Sequence, residues 1–561
     1  MGQRRLPKSQ RTRRKIDSGG AILKKQGKQK KQPNHESPKL TRRQFLGVAA
    51  GIGVAAAVSG CDIVDDPGAD GWLPEQYHNS NGYPAQVRGR VPIDVNNPSI
   101  LRDDKACILC GQCLEVCQNT ETIYNYYELP VVDEFICVHC GQCAINCPSG
   151  AIRERSYIDE VREALADPNK VVVVATSPGV RVSLGEEFGA PQGQWVQEQM
   201  ITALRELGFD YVVNIDFASD ATIMEEGSEL VHRLTQGGAL PQFTSCCPGW
   251  VKFVEYNYPD LIPNISTAKS PVAEMGALLK TYWAKKKNIA PSDIVVVNVP
   301  PCTAKKFELS RPEMNAAQRY WDEEGKSYGK MRDVDIVLST RELAKMIRDK
   351  GLDLLHLPKG KFDPIVSEGS GAAVIFANNG GVMEAALRTA YYLVTNEDPP
   401  ESFYHLDMVR DNDMDGYAEA SVEFPGYGTV RVAICNGLHA ARTLCEEIRA
   451  GKRNDLHFLE VMTCPGGCIG GGGQAKTVVP PSDVLRGHRI DSLYAADESM
   501  AKEQRVSYKN KEIAALYDDF LGKPLSELAE KILHTTYTDR SGSIHTKDTS
   551  DYVDVCIRGK S

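Results

Sequence analysis

The sequence lacks an apolar run long enough to cross a membrane. The apolar stretch Gly47–Gly60 is shorter than the roughly 20 residues that a membrane-spanning helix needs, so a permanent transmembrane helix is not expected. The sequence also lacks the composition of a disordered chain, because 42% of its 561 residues are hydrophobic. A chain of this length can bury a large core and divide into several domains.

Basic side chains are scarce beyond the N-terminal segment. Through Arg43 the chain has fifteen Lys and Arg residues against two acids, whereas beyond residue 60 it has 50 basic and 72 acidic residues, a net charge near −22. This acidic remainder argues against nucleic-acid binding. It favours plain solubility or a basic electron-transfer partner that is attracted by charge.

The basic segment runs into Arg42-Arg43 and then into the apolar stretch, which is the layout of a twin-arginine export signal. The alternative is a basic tail that binds nucleic acid, but such a tail needs no adjoining apolar run. Val58-Ser59-Gly60-Cys61 resembles a lipobox, in which a lipidated Cys61 would tether the protein to a membrane surface. We therefore expect export by the twin-arginine translocase, to the periplasm or the outer face of the cytoplasmic membrane.

Seventeen cysteines require an explanation by disulfide, zinc or iron-sulfur chemistry. Eight form two CxxCxxCxxxC runs, namely Cys107, Cys110, Cys113 and Cys117, then Cys137, Cys140, Cys143 and Cys147. In this spacing three thiolates hold three corners of a cubane while the fourth reaches the neighbouring cluster. We therefore assign one [4Fe-4S] cluster to Cys107, Cys110, Cys113 and Cys147, and another to Cys137, Cys140, Cys143 and Cys117.

Structural zinc and disulfides are the alternatives for these eight cysteines. Zinc needs only four ligands and not a doubled pattern. Export would permit disulfides, but cysteines this close together in tight loops are poorly placed for unstrained ones. An electron relay is therefore the better interpretation, although two clusters alone would make only an electron carrier.

The middle of the chain has an α/β pattern. Apolar runs at 171–174, 211–215 and 294–297 predict strands that are buried on both faces. Amphipathic patterns between such runs predict helices at 198–207, 222–234, 273–286 and 341–350. This alternation indicates βαβ units around parallel sheets, whose ligands bind at the carboxyl ends of the strands.

Three further cysteine motifs lie far apart in the sequence, at Thr244–Trp250 (TSCCPGW), Pro301–Glu308 (PCTAKKFE) and Glu460–Cys468 (EVMTCPGGC). They supply four thiolates on separate loops, enough for a cubane buried between two lobes: Cys247, Cys302, Cys464 and Cys468. The glycines of the last motif let the backbone approach a bulky inorganic group closely.

These three motifs, in this order, match the signatures of [FeFe]-hydrogenases almost letter for letter, and the sequence resembles that family from about residue 105 to 556. The resemblance implies an enzyme that interconverts dihydrogen with protons and electrons. It implies an α/β two-lobed catalytic domain, an N-terminal α+β ferredoxin-like domain and a C-terminal helical extension similar to the hydrogenase small subunit. The expected segments are a leader with the signal at 1–61, a linker at 62–104, the ferredoxin-like domain at 105–160, the catalytic domain at 170–480 and the small-subunit-like domain at 483–556.

The resemblance also implies a cofactor and roles for individual residues. Cys247, Cys302, Cys464 and Cys468 would hold the cubane of an H-cluster, and Cys468 would bridge it to a diiron unit with CO, CN⁻ and a dithiolate. Lys305 would hold a cyanide and be locked in place by Glu308, and Met462 would line the diiron pocket. Ser177 and Pro178 would lie near a cyanide. Outside such a motif, Lys305 would be a solvated surface lysine.

Cys246 is not a cubane ligand in this scheme and is free to relay protons. The resemblance places it first in a path through Glu226, Ser266 and Glu229, with Arg233 beyond. The spacing supports this independently, because Glu226, Glu229 and Arg233 share one helix face. Buried carboxylates acquire raised pKa values, which suit proton transfer near neutral pH. The alternative for Glu229 and Arg233 is an ordinary helix ion pair.

Some positions depart from the family, and other functions on this fold compete. Pro300 stands where methionine is usual and Ser177-Pro178-Gly179 where Ala-Pro-Ser or Ala-Pro-Ala is common, so we expect altered catalytic bias or altered oxygen and CO sensitivity. The alternatives are a hydrogen sensor, an iron-sulfur assembly factor and a polyferredoxin carrier. The intact Cys246, Lys305 and Cys464/Cys468 argue against them. Three further cysteines match no ligand position, namely Cys435, Cys445 and Cys556.

Export constrains the expected partners. Cytoplasmic maturases make the diiron unit, which would not survive threading of an unfolded chain, whereas the twin-arginine translocase moves folded, loaded proteins. Hydrogen oxidation outside the inner membrane would leave protons there. Its electrons would pass through the two cubanes to a cytochrome, a ferredoxin or a membrane quinone-reducing protein. This direction is inferred from the location alone.

Overall fold

The computed structural model describes residues 89–124, 126, 136–406, 416–477 and 481–543. The predicted leader, its export signal and Cys61, most of the predicted linker, and Cys556 lie outside these residues. The strands are β1 Ile100–Arg102, β2 Ile152–Glu154, β3 Val171–Thr176, β4 Tyr211–Asn214, β5 Gln242–Phe243, β6 Ile294–Val299, β7 Ile336–Val337, β8 Tyr417–Phe424, β9 Gly428–Asn436 and β10 Phe458–Met462.

Helices separate most of these strands. They are α1 Gln112–Glu115, α2 Gln142–Ile145, α3 Ile158–Ala166, α4 Pro178–Arg181, α5 Gln197–Leu207, α6 Asp216–Gln236, α7 Pro248–Asn257, α8 Pro271–Leu278, α9 Ala284–Lys287, α10 Ala304–Glu308, α11 Ala316–Glu323, α12 Thr340–Asp349, α13 Gly371–Val374, α14 Gly381–Thr395, α15 Leu438–Arg449, α16 Asp483–Glu498, α17 Lys511–Leu516 and α18 Glu527–Leu533. The four helices predicted from amphipathic patterns are confirmed, and a π-helical stretch, Leu279–Trp283, joins α8 to α9.

The catalytic region contains two four-stranded sheets. The first has the order β4-β3-β6-β7 and is parallel throughout, and its three longest strands are the predicted apolar runs. The second has the order β5-β10-β9-β8, in which β8 is antiparallel to β9 and the other pairs are parallel. The predicted α/β class is thereby confirmed. The two lobes of the prediction correspond to these two sheets with their helices.

The cysteine motifs and Ser177 follow the carboxyl ends of strands in the two sheets. The first sheet leads from β3 into Ser177 and from β6 into Pro301-Cys302, while the second leads from β5 into Cys246-Cys247 and from β10 into Cys464. Because both sheets direct these ends to one place, loops that are distant in sequence meet there.

The ferredoxin-like region is built around a two-stranded sheet. Strand β1 pairs with β2 in antiparallel register, from Ile100 opposite Glu154 to Arg102 opposite Ile152. The predicted linker at 62–104 therefore ends in a strand that belongs to this sheet. Each short helix, α1 and α2, starts after a glycine with positive φ, Gly111 at 76° and Gly141 at 72°, a conformation that other residues rarely adopt.

The C-terminal segment contributes to the core of the first lobe. Ile513, Leu516, Ile532 and Leu533 are buried in one cluster with strand residues of β3 and β6 and with Trp283. Burial of such side chains stabilises the fold by about 1.5–3 kcal/mol each, so this segment is an integral layer. Among the described residues, no helix is both long and apolar enough to span a membrane.

Candidate functional site

One pocket collects the residues of all three motifs. Its walls contain nine of the residues singled out from the sequence, namely Cys246, Cys247, Cys302, Cys464, Cys468, Lys305, Met462, Ser177 and Pro178. Pro300 and Gly179, two of the departures from the family pattern, also line it. The remaining walls are largely apolar and include Ile215, Val272 and Phe376.

The four thiols of the pocket come from both lobes. Cys247 begins α7, and its Sγ lies 3.2 Å from Oγ1 of Thr463 and 3.5 Å from the Thr463 backbone N–H. Burial, followed by repulsion from Cys247, raises the pKa of Cys302 to about 11. Burial, followed by repulsion from Cys302, also raises the pKa values of Cys464 and Cys468. The thiols are thus close enough to oppose one another's ionisation. A bound cation would instead favour their ionised, thiolate form.

Lys305 is buried as an ion pair. Its Nζ donates to Glu308 Oε2 at 2.9 Å and to the Cys246 carbonyl at 2.9 Å, and Ser270 donates to the same Glu308 oxygen at 3.0 Å. Burial acts to lower the pKa of Lys305, but Glu308 and Cys302 outweigh it and the pKa is raised. The side chain therefore carries a fixed positive charge at the pocket wall, and it is not a surface lysine.

Cys246 lines the same pocket, and the buried Glu226 lies electrostatically close to its thiol. Burial and the Glu226 carboxylate raise the pKa of the Cys246 thiol well above its usual value. Burial, then repulsion from Glu229, raises the pKa of Glu226 to about 8. Neither carboxylate oxygen of Glu226 has a hydrogen-bond partner among the described residues, and no hydrogen bond joins Glu226 to Cys246 there.

The outer part of the predicted proton path is connected. Ser266 Oγ donates to Glu229 Oε2 at 2.6 Å, and Arg233 donates to Glu229 Oε1 at 2.6 Å. Arg233 also donates to four backbone carbonyls, including that of Ile265 at 3.0 Å. Glu229 is therefore bonded to Ser266 and to Arg233 at once, so the alternative ion pair is present together with the Ser266–Glu229 link of the predicted relay.

Electrostatic contacts among the ferredoxin-type cysteines link the two runs, both within each assigned ligand group and between the groups. Cys113 is electrostatically close to Cys110 and Cys147. Cys117 is electrostatically close to Cys137. Cys137 also opposes the ionisation of Cys143. Each run thus sends its fourth cysteine towards the other run, as the assignment of ligands requires. Cys110 is exposed, which brings the first group to the protein surface.

The second group touches the catalytic loops through contacts that the sequence did not reveal. Thr303 Oγ1 donates to the His139 carbonyl at 2.7 Å, and Gln142 Nε2 donates to the Gly470 carbonyl at 2.9 Å. A Cβ at Gly141 would lie 2.3 Å from Thr303 Oγ1, and one at Gly472 would lie 2.3 Å from the Cys140 carbonyl. The glycines therefore permit this approach. Their place in cysteine motifs was the only available signal.

Comparison with known proteins decides the family. The profile described as iron only hydrogenase large subunit, C-terminal domain, matches residues 170–472, more than half of the chain. The chain belongs to the iron-only, or [FeFe], hydrogenase family. The profile of the iron hydrogenase small subunit matches residues 483–540 of this hydrogenase, and that of a 4Fe-4S binding domain matches residues 130–153. The small-subunit piece is therefore fused to the large one.

Individual relatives agree with this family. The hydrogenase is 44% identical over 463 residues to the NADP-reducing hydrogenase subunit HndD of Solidesulfovibrio fructosivorans, covering 79% of this chain and 75% of that protein. It is 42% identical over 378 residues to the periplasmic [Fe] hydrogenase large subunit of Nitratidesulfovibrio vulgaris, covering 66% and 85%. A structure of the [FeFe]-hydrogenase HydA1 from Chlamydomonas reinhardtii matches with a TM-score of 0.58 and 38% identity, covering 68% and 98%.

The hydrogenase is an oxidoreductase acting on dihydrogen, and its cofactors are [4Fe-4S] clusters and an H-cluster. The donor set of the pocket fits that cofactor. Four thiols on three loops suit a cubane, and the buried Lys305 ammonium suits an anionic ligand. The apolar walls formed by residues such as Met462 and Phe376 keep water from the remainder of the pocket.

Proposed function

We propose that this hydrogenase oxidises dihydrogen outside the cytoplasmic membrane and passes the electrons to a basic redox partner. Three features support this direction and place. Arg42-Arg43 with the following apolar stretch has the form of a twin-arginine signal, and Cys61 has the form of a lipid anchor. Beyond residue 60 the net charge is near −22, which would attract a basic partner such as a cytochrome.

In the pocket, Cys247, Cys302, Cys464 and Cys468 would hold the cubane, and Lys305 would donate to an anionic ligand of the diiron unit. When bound, the H-cluster supplies the place where dihydrogen is split or formed. The protein excludes water around it, holds the Lys305 charge fixed through Glu308, and provides Cys246 as the first group that takes or gives a proton.

The observation that carries the proton path is the state of Glu226. This carboxyl is buried, has no hydrogen-bond partner among the described residues, and has a pKa raised to about 8. Such a group changes protonation near neutral pH, as a proton relay requires. It is electrostatically close to Cys246 and to Glu229, which is bonded to Ser266 and Arg233. Protons therefore leave through Glu226 while electrons leave through the accessory clusters towards the exposed Cys110.

A single variant tests the catalytic part. Cys246→Ser should keep the infrared stretches of CO and CN⁻ in protein loaded by the maturases, and should lose most turnover. The matched control is Cys435→Ser, because Cys435 is also buried but lies on β9 and does not line the pocket. Full activity in Cys246→Ser would refute the relay, and absence of the infrared bands from the unaltered protein would refute the cofactor site.

Fractionation tests the location. Replacing Arg42 and Arg43 by Lys should retain the protein in the cytoplasm, and Cys61→Ala should release exported protein from the membrane fraction. One relative is named for NADP reduction and another for the periplasm. A cytoplasmic location of the unaltered protein, with NADP⁺ reduction in the presence of dihydrogen, would support the former type and contradict the proposed export.

A further inference from the structure

A buried lysine of the catalytic domain contacts the loop that carries the second group of ferredoxin-type cysteines. Lys252, on α7, is 2% exposed, and its Nζ lies 2.9 Å from Nε2 of His139, which stands between Cys137 and Cys140. The His139 ring stacks on Phe307 with 4.5 Å between centroids, and Lys252 Nζ lies 4.2 Å from the same Phe307 centroid. The lysine is therefore held against the histidine on a shared aromatic face.

The donors and acceptors along this contact can be assigned one by one. A lysine ammonium only donates, so Nε2 of His139 accepts and the ring carries its proton on Nδ1. That Nδ1 lies 3.2 Å from Asn97 Oδ1, which also accepts the backbone N–H groups of Ser99 and Ile100 at 2.9 and 3.1 Å. These contacts identify the Asn97 oxygen, so its Nδ2 is the donor that faces Cys137 Sγ at 3.7 Å.

We propose that Lys252 raises the reduction potential of the [4Fe-4S] cluster assigned to Cys117, Cys137, Cys140 and Cys143, through His139 and Asn97. Reduction adds one electron to the cluster, so a nearby positive charge and hydrogen bonds to its sulfur atoms stabilise the reduced form. Every donor in the chain from Lys252 points towards the thiolate, so the hydrogen bonds polarise one another in one direction.

The position of this cluster explains why its potential matters. Thr303 and Gln142 fasten its loop to the catalytic loops, and Gly141 and Gly472 let the two backbones touch. It is therefore the accessory cluster next to the pocket, and electrons that leave the pocket meet it first. A higher potential there favours removal of electrons from the catalytic site. The inference rests on the ligand assignment of the proposed function.

Redox titration of the holoenzyme, followed by electron paramagnetic resonance, tests this role. Lys252→Met should lower the midpoint potential of one accessory cluster. At the midpoint of the unaltered protein its reduced-to-oxidised ratio should fall about tenfold, which for one electron is about 59 mV. Lys252→Arg keeps the charge and should restore the ratio. Asn97→Asp keeps the oxygen that accepts from Ser99 and Ile100, removes the donor to Cys137, and should also lower the potential.

Lys286→Met is the control, since it removes a lysine paired with Asp519 away from the cluster loops, and it should leave every midpoint unchanged. An unchanged midpoint in Lys252→Met would overturn the proposal, and so would an equal fall in Lys252→Arg, which would indicate packing and not charge. A fall in Lys252→Met without one in Asn97→Asp would overturn the hydrogen-bonded route. Absence of any accessory-cluster signal from the unaltered protein would instead contradict the ligand assignment, and this inference with it.

Discussion

Two buried carboxylates near the pocket differ in their partners. Glu308 is paired with Lys305 and also accepts from Ser270. Glu226 has no hydrogen-bond partner among the described residues, and its pKa is raised to about 8. Burial raises the pKa of Glu226, whereas Glu308 has the Lys305 ammonium as an ion-pair partner, so the partner distinguishes the two groups. A paired carboxylate fixes a charge, whereas an unpaired one stores a proton.

The largest effect is expected from breaking the ion pair of Lys305 and Glu308. Lys305→Met leaves Glu308 buried without its cation, and removing one partner of a buried ion pair costs about 3 kcal/mol or more. We expect a lower unfolding temperature and loss of the infrared bands of the diiron unit, because the ammonium donor for its anionic ligand is gone. Thermal denaturation and infrared spectra of maturase-loaded protein measure the two effects.

Lys306→Met separates stability from cofactor binding. Lys306 is the next residue and forms its own buried pair with Glu342 at 2.6 Å, outside the pocket. This variant should be destabilised to a similar degree and still show the infrared bands. Equal loss of the bands in both variants would mean that Lys305 acts only through the stability of the fold.

The role of the Glu226 carboxyl is tested by Glu226→Gln, which keeps the shape of the side chain but cannot exchange a proton. Loss of a proton relay should slow turnover about 100-fold while the infrared bands remain. In the unaltered enzyme Glu226 is protonated below about pH 8. Hydrogen production should therefore fall, and hydrogen oxidation rise, as the pH increases through that value. Activity measured against pH in both directions should show this step, and Glu226→Gln should lack it.

Glu274→Gln is the matched control for Glu226. Glu274 is also fully buried, and burial raises its pKa well above the usual value, but its carboxylate is bonded to Thr222 at 2.8 Å and does not line the pocket. We expect nearly unchanged turnover and the same step in the pH profile. If Glu274→Gln slowed turnover as much as Glu226→Gln, the loss would reflect the disturbance of buried carboxylates in general.

A smaller effect is expected further along the path. Ser266→Ala removes the hydroxyl that donates to Glu229 at 2.6 Å, and a water molecule can replace a hydroxyl in part, so we expect turnover to fall about tenfold. Thr267→Val is the control, because its backbone N–H and not its hydroxyl contacts Glu229. Steady-state turnover is measured for both variants. Equal rates would show that Ser266 does not belong to the proton path.

Sequence patterns predicted what depends on local chemistry and missed what depends on distant contacts. The parallel strands β3, β4 and β6 follow from apolar runs, and the pocket thiols from motifs with few chemical interpretations. The isolation of Glu226 was not predictable, because it depends on the absence of partners from other elements. The contact of His139 with Lys252 joins residues 113 positions apart, and neither residue type alone indicates it.

The smallest effect is expected at Pro300 and Ser177, which line the pocket and carry no charge. Pro300 lines the wall next to Pro301 and Cys302, where a flexible thioether is usual in the family. Pro300→Met should change the rate of inhibition by CO or oxygen a few-fold, because a mobile side chain alters access to the diiron unit. Electrochemical inhibition kinetics, with the neighbouring Ser177→Ala for comparison, measure this. Inhibition identical to that of the unaltered enzyme would show that access to the diiron unit is controlled elsewhere. The contrast between the Lys305–Glu308 ion pair and the Glu226 carboxyl would then explain the properties of the pocket without these two residues.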